Sequence, residues 1–206
     1  VEADCFEPEP ETFEAITSLL MHCNGCTFVD IGCNMGIFSA HAAALGARVR
    51  CFEPMARYRD ALRQTAADLR PDFQFEQVAV VSSDEDSGTL ALKPSDGYKP
   101  CNVGRDVPQG DVPKLSVARI LEGKRTHFLK IDIDSDDGGL LHTATNAIES
   151  GAAAVDTMLV ELGSGKLAHL GWQNKRNPRG GDVHDLWRLQ QLGYDVYRMN
   201  EHTNME

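Results

Sequence analysis

The chain has 206 residues, enough to bury the core of one α/β domain and too few for two comfortable ones. Its 20 Lys and Arg against 31 Asp and Glu leave a formal charge of −11, which repels phosphate backbones and argues against a nucleic-acid partner. No apolar run reaches the roughly 18 residues of a transmembrane helix.

Residues 12–22 carry Phe13, Ile16, Leu19 and Leu20 at helical spacing, which makes residues 1–26 a helical segment ahead of a single domain at 27–206. The acidic start, Glu7-Pro8-Glu9-Pro10-Glu11, is unlike a signal peptide. Because the first residue is Val1, a targeting segment could have preceded it, and the compartment stays unknown, with the cytoplasm as default. Strands are predicted at 27–31, 48–52 and 74–81, separated by helices at 36–45 and 56–69 that stop at Gly46 and before Pro71. Residues 88–113 hold a short apolar run, 89–92, and then many Gly, Pro, Ser and Asn; this irregular region either covers a substrate or is disordered without function. A strand at 127–133, a helix to about 150, a strand at 156–162, a loop at 163–181 and a helix at 183–192 follow. A sixth strand is expected at 194–199, with no candidate for a last edge strand after Met199. Such alternation implies an α/β fold with a doubly wound, mostly parallel sheet.

Two of these strands end in acids. Phe28-Val29-Asp30-Ile31 runs into Gly32-Cys33-Asn34-Met35-Gly36, and Cys51-Phe52 into Glu53-Pro54. Glu53 follows Gly32 by 21 residues, the spacing at which an acid reaches a ribose diol. The turn lacks the Gly-x-Gly-x-x-Gly that brings amides onto a pyrophosphate, and Asp30 stands at its mouth. A cationic ligand with a ribose and no phosphate, such as S-adenosylmethionine, suits this better than a dinucleotide.

Six cysteines occur, at 5, 23, 26, 33, 51 and 101. Cys33 and Cys51 fall in the nucleotide-binding unit, so most are expected as free thiols serving as small apolar residues. The Cys-x-x-Cys at Cys23 and Cys26 lacks a second ligand pair at zinc spacing, and a plain turn before the first strand is expected, with no metal. The acids Asp132, Asp134, Asp136 and Asp137 suit a hard cation, but an acidic helix start accounts for the last two without one. Lys175-Arg176-Asn177-Pro178-Arg179 reads as a solvated loop.

The chain resembles class I S-adenosylmethionine-dependent methyltransferases, and within them the FkbM-type family. The likeness rests on Val29-Asp30-Ile31-Gly32-Cys33-Asn34-Met35-Gly36, on Phe52-Glu53-Pro54, and on Leu129-Lys130-Ile131-Asp132-Ile133-Asp134 with Leu140-Leu141 downstream. Val160-Glu161 and Leu192-Gly193-Tyr194 match more loosely, and Asp134-Ser135 stands where the family has Glu-Gly. The resemblance implies a Rossmann-like methyltransferase fold and methylation of a hydroxyl on a sugar, glycan or other small polar acceptor. The alternative is an idle methyltransferase-like domain serving as scaffold or subunit of a larger assembly.

On this reading Gly32 and Gly36 let the backbone approach the cofactor, and Asp30 holds its ammonium group or serves the helix start. Asn34 falls in the same turn, Glu53 takes the ribose, and Met55 packs on adenine or belongs to the core. Asp132 orients or deprotonates the acceptor, or is a structural hydrogen-bond acceptor. Glu161 binds or orients the acceptor, and His169 or His184 is a candidate base or a surface histidine. His142 is expected to be structural, and Trp172 to stack on a sugar or anchor its loop.

Overall fold

The computed structural model describes residues 10–69, 71–82, 88–91, 111–133, 136–162 and 182–197. In chain order these form α1 (Pro10–Leu20), β1 (Thr27–Ile31), α2 (Ile37–Ala44), β2 (Arg48–Phe52), α3 (Arg59–Asp68, entered through a 3₁₀ turn at Ala56–Tyr58), β3 (Phe73–Glu76), β4 (Ala79–Val81) and β5 (Thr89–Ala91). Then follow β6 (Asp111–Ser116), α4 (Val117–Leu121), β7 (Arg125–Ile131), α5 (Asp137–Glu149), β8 (Ala154–Val160) and α6 (Asp182–Gln191).

The main sheet has five parallel strands in the order β3-β2-β1-β7-β8. This is a doubly wound α/β fold of the Rossmann-like kind. Alternation along each strand sends neighbouring side chains to opposite faces. Phe28, Val49, Cys51 and Phe128 pack with Ile16, Phe38 and Leu62 under α1, α2 and α3. Val29, Ile31, Phe52, Leu129 and Ile131 pack with Ile120, Leu121 and Leu140 beneath α4 and α5. Both faces are covered, which is why these strands read as apolar runs with few polar interruptions. Ile16 and Leu20 of α1 belong to the first cluster, and Phe13 packs against Phe38 in a tilted arrangement with ring centroids 4.9 Å apart. No described helix is long and apolar enough to cross a membrane.

The expected strand at 74–81 is two strands. β3 closes one edge of the main sheet, and β4 joins β6 and β5 in a separate three-stranded sheet. The sequence also hid β6 and α4. β6 contains Pro113, which favours an edge reading, and α4 has five residues, too few to show a helical period. Ser116 caps α4, its hydroxyl accepting the Ala118 amide at 3.2 Å. The expected sixth strand is absent over residues 194–197. There the Tyr194 hydroxyl donates to the Val155 carbonyl of β8, so a side chain makes the contact a strand ladder would have made.

Candidate functional site

From β1 the chain winds through β2 to β3 on one side, while β7 and β8 lie on the other. The winding therefore reverses between β1 and β7, and in such sheets the crevice beyond the strands' C-terminal ends at that point is where ligands bind. Four adjacent strand ends meet there: the Gly32–Gly36 turn after β1, Glu53 after β2, Asp132 after β7 and Glu161 after β8.

The turn is fixed from both sides. The amides of Gly32 and Cys33 donate to the Phe52 carbonyl at 2.9 and 3.2 Å, tying it to β2. Gly32 has φ +82°, and a Cβ there would lie 1.8 Å from the Asp132 carbonyl oxygen. The glycine is thus required by the close approach of the β7 end. A Cβ on Gly36 would meet Leu62 of α3 at 2.6 Å. Both missing side chains would have pointed into the protein, whereas the sequence reading had them clearing space for a ligand. Asn34, at the turn's centre, adopts a left-handed φ of 52°, which asparagine tolerates better than most residues.

Glu53 is 5% exposed, and its carboxylate bridges two loops. Oε2 accepts the Asn34 amide at 3.0 Å and Oε1 the Met55 amide at 2.8 Å. Burial pushes its pKa up to about 7, against the opposing pull of the two amides and the Arg57 guanidinium. A carboxylate offers about four acceptor positions, so these two amides leave capacity for two further donors. Met55 is half-buried and packs against the first core cluster. Asp30 is fully enclosed, and its carboxylate accepts the Ser39 hydroxyl at 2.6 Å, anchoring the first turn of α2 to β1.

On the far side of the turn, Lys130 Nζ lies 2.6 Å from Asp132 Oδ2 and 5.2 Å from the Phe38 ring centroid. Asp132 is also hydrogen-bonded to Glu161. Burial opposes ionisation of Asp132, but the Glu161 bond and the Lys130 ammonium outweigh it and hold its carboxyl below the usual range. Such an aspartate is a weak base and a strong hydrogen-bond acceptor, better suited to orienting an acceptor than to deprotonating it. Lys130 had no assigned role in the sequence reading. Its signal was a lysine within the apolar run of β7, and at 3% exposure it is among the few buried charges.

The remaining candidates lie apart or outside the described residues. His169, Trp172, Asp134, Ser135 and Lys175 to Arg179 fall outside them. Asp136 accepts the Ser82 hydroxyl at 2.7 Å, and Asp137 accepts the Ile133 amide at 2.7 Å, so these acids fasten the start of α5. His184 is exposed beside Trp187, and His142 pairs with the buried Asp185 at 3.0 Å. A depression of about 460 Å³ lies elsewhere, lined by Arg63, Phe73 and Phe75, and holds none of the candidate residues.

The expectation of free thiols is overturned. Cys23 is bonded to Cys26 and Cys33 to Cys51, with Cα atoms 5.5 and 5.9 Å apart, inside the range a disulfide spans. The second bridge joins the turn after β1 to β2, a pairing that sequence spacing alone does not reveal.

No family model matches the chain, and no curated protein does. Among solved structures it is similar to a proposed methyltransferase from an antibiotic biosynthesis pathway of Anabaena variabilis, 18% identical over 72% of this chain and 43% of that one, TM-score 0.38. It is also similar to a precorrin-6Y C5,15-methyltransferase from Geobacter metallireducens, 11% identical over 71% of this chain and 60% of that one, TM-score 0.40. A proposed RNA methyltransferase from Pyrococcus horikoshii is 17% identical over 58% of this chain and 44% of that one, TM-score 0.31. The chain thus spans between 43% and 60% of the length of these three structures, and at these scores the fold is read from the strand order itself.

Proposed function

We propose that the chain is an S-adenosylmethionine-dependent methyltransferase acting on a hydroxyl of a sugar, glycan or other small polar acceptor. The observation that supports it most is Glu53, a carboxylate held by the Asn34 and Met55 amides beside the glycine turn, with acceptor capacity to spare. A ribose diol supplies two donors, matching that capacity. The turn has no glycine-rich cradle for a pyrophosphate, which favours a nucleoside ligand without phosphate. The small polar acceptor and its hydroxyl come from the FkbM-type resemblance, and the formal charge of −11 favours such an acceptor over a nucleic acid.

When bound, S-adenosylmethionine would supply an electrophilic methyl group, and alignment with the nucleophile would provide much of the acceleration. The chain's own contribution divides across the crevice. Glu53, Asn34 and Met55 hold the nucleoside side, and Gly32 and Gly36 shape the turn between β1 and β7. Asp132 and Glu161, with Lys130 behind them, present carboxyl oxygens at the ends of β7 and β8. His169, outside the described residues, keeps the role of candidate base.

The competing reading, an idle scaffold domain, draws on the depth of Glu53 and Asp30, at 5% and 0% exposure. Turnover with a tritiated methyl donor and a panel of hydroxylated acceptors separates the two. Label transfer to any of the acceptors supports the enzyme. Cofactor binding without transfer to any of them favours the scaffold.

A further inference from the structure

At the N-terminal end of the sheet, away from the crevice, the turn between α1 and β1 meets β7. There Cys23 and Cys26 lie beside His127, and one ligand atom from each lies within 4.8 Å of the other two. Among the described residues no other such group of three occurs. We propose that, with its cysteines reduced, this trio binds a divalent metal ion of the zinc class, independently of any activity at the crevice.

Three observations carry it beyond a plain turn. First, the donor set is two sulfurs and an imidazole, the soft and borderline ligands that zinc prefers. In a tetrahedral site with metal–ligand bonds of about 2.0–2.3 Å, neighbouring ligand atoms stand about 3.5–3.8 Å apart. Once the Cys23–Cys26 bond is reduced, the two sulfurs must separate by about 1.7 Å from a disulfide's ordinary length, and the imidazole nitrogen, within 4.8 Å of both, must close by up to about 1 Å; both are shifts that side-chain rotation supplies. Second, His127 Nδ1 accepts the Thr27 amide at 3.0 Å, so this nitrogen is held unprotonated beside the Cys26–Thr27 peptide; a metal bound there would take over the lone pair that the amide now uses. Third, Arg48 Nε donates to the Gly25 carbonyl at 3.0 Å, placing a positive charge against the Cys23–Cys26 turn, where it favours thiolates.

The balance is simple. A dithiol or phosphine reductant first supplies two electrons to the Cys23–Cys26 disulfide, which takes up two protons to give two thiols; each thiol then releases its proton to solvent as its sulfur bonds the metal, and that second step transfers no electron. The two thiolates offset the 2+ charge, and water completes the tetrahedron, since Cys23 and His127 are only half-buried. The disulfide and the metal exclude each other, because bonded sulfurs offer no thiolate. A bound ion would fasten the α1–β1 turn to a strand 100 residues further along the chain.

The test uses the full chain reduced with a thiol-free phosphine, titrated with Co²⁺ and then with competing Zn²⁺. One ion per chain is expected, with a thiolate-to-cobalt charge-transfer band that disappears on addition of Zn²⁺. Cys23→Ser and Cys26→Ser should abolish the band, and His127→Gln should weaken affinity by at least about tenfold. X-ray absorption at the zinc edge of the unmutated chain should report two sulfurs and one imidazole nitrogen, an observation that holds even if a variant fails to fold. The proposal is overturned if the reduced chain shows no band, if the band survives in both serine variants, or if His127→Gln binds with unchanged affinity.

Discussion

If Glu53 holds a ribose as proposed, stability and ligand binding should depend on pH with opposite signs. Its pKa rises from 4.5 to about 7 on folding, mainly through burial. The folded state therefore holds the proton more tightly than the unfolded chain, and this contribution is fully present below pH 4.5 and lost as pH rises through about 7. Each pKa unit is worth about 1.4 kcal/mol, so the loss amounts to about 3 kcal/mol. The proposed ribose binding would run the other way, because only the carboxylate accepts both hydroxyl protons through charge-assisted bonds. If the ionised form alone binds, affinity for S-adenosylhomocysteine should fall by up to about tenfold per pH unit below the pKa. Glu53→Gln keeps the shape and removes the titration. Urea unfolding of wild type and variant across this pH range should give wild-type stability falling with pH relative to the variant. Calorimetry over the same range should give a variant affinity that is flat with pH and about tenfold or more below wild type above the pKa. Parallel stability profiles for the two proteins would refute the account of Glu53 as a buried, proton-holding carboxyl.

Other substitutions probe the rest of the crevice. Gly32→Ala should destabilise the fold by at least about 3 kcal/mol in urea unfolding, because its Cβ would meet the Asp132 carbonyl and its φ is left-handed; a variant as stable as wild type would show that the strand ends separate easily. Lys130→Met should cost about 3 kcal/mol by leaving Asp132 without its ammonium, and should raise the Asp132 pKa, as followed by carboxyl NMR. Asp132→Asn should slow methyl transfer about a hundredfold, a loss of about 3 kcal/mol in the transition state, while S-adenosylhomocysteine affinity changes little; equal turnover would remove Asp132 from acceptor alignment.

Much of the sheet was legible because parallel strands covered on both faces leave apolar runs. β1 and β2 fall at their expected bounds, 27–31 and 48–52. The split between β3 and β4 was not legible, since nothing in Phe73 to Val81 says which sheet each half joins. The short α4 and the proline-bearing β6 lacked the length or pattern that periodicity needs. In the crevice, the acid at the end of β2 was visible from its spacing to Gly32. The tie from Glu53 to the Asn34 and Met55 amides was not, because backbone donors leave no trace in residue type. The reason for Gly32 was also hidden, since it depends on β7 arriving beside it a hundred residues later. Lys130 was visible only as an oddity in an apolar strand; its partners are Asp132, two residues further on, and the Phe38 ring of α2.

The central claim is that the crevice binds an adenosyl nucleoside on Glu53. The most direct measurement is calorimetric titration of S-adenosylhomocysteine into the full chain above the Glu53 pKa, with Glu53→Gln as its control. The account predicts one site per chain and an affinity about tenfold or more weaker in the variant. Absence of binding to the folded wild-type chain, or equal affinity in the two proteins, would contradict it.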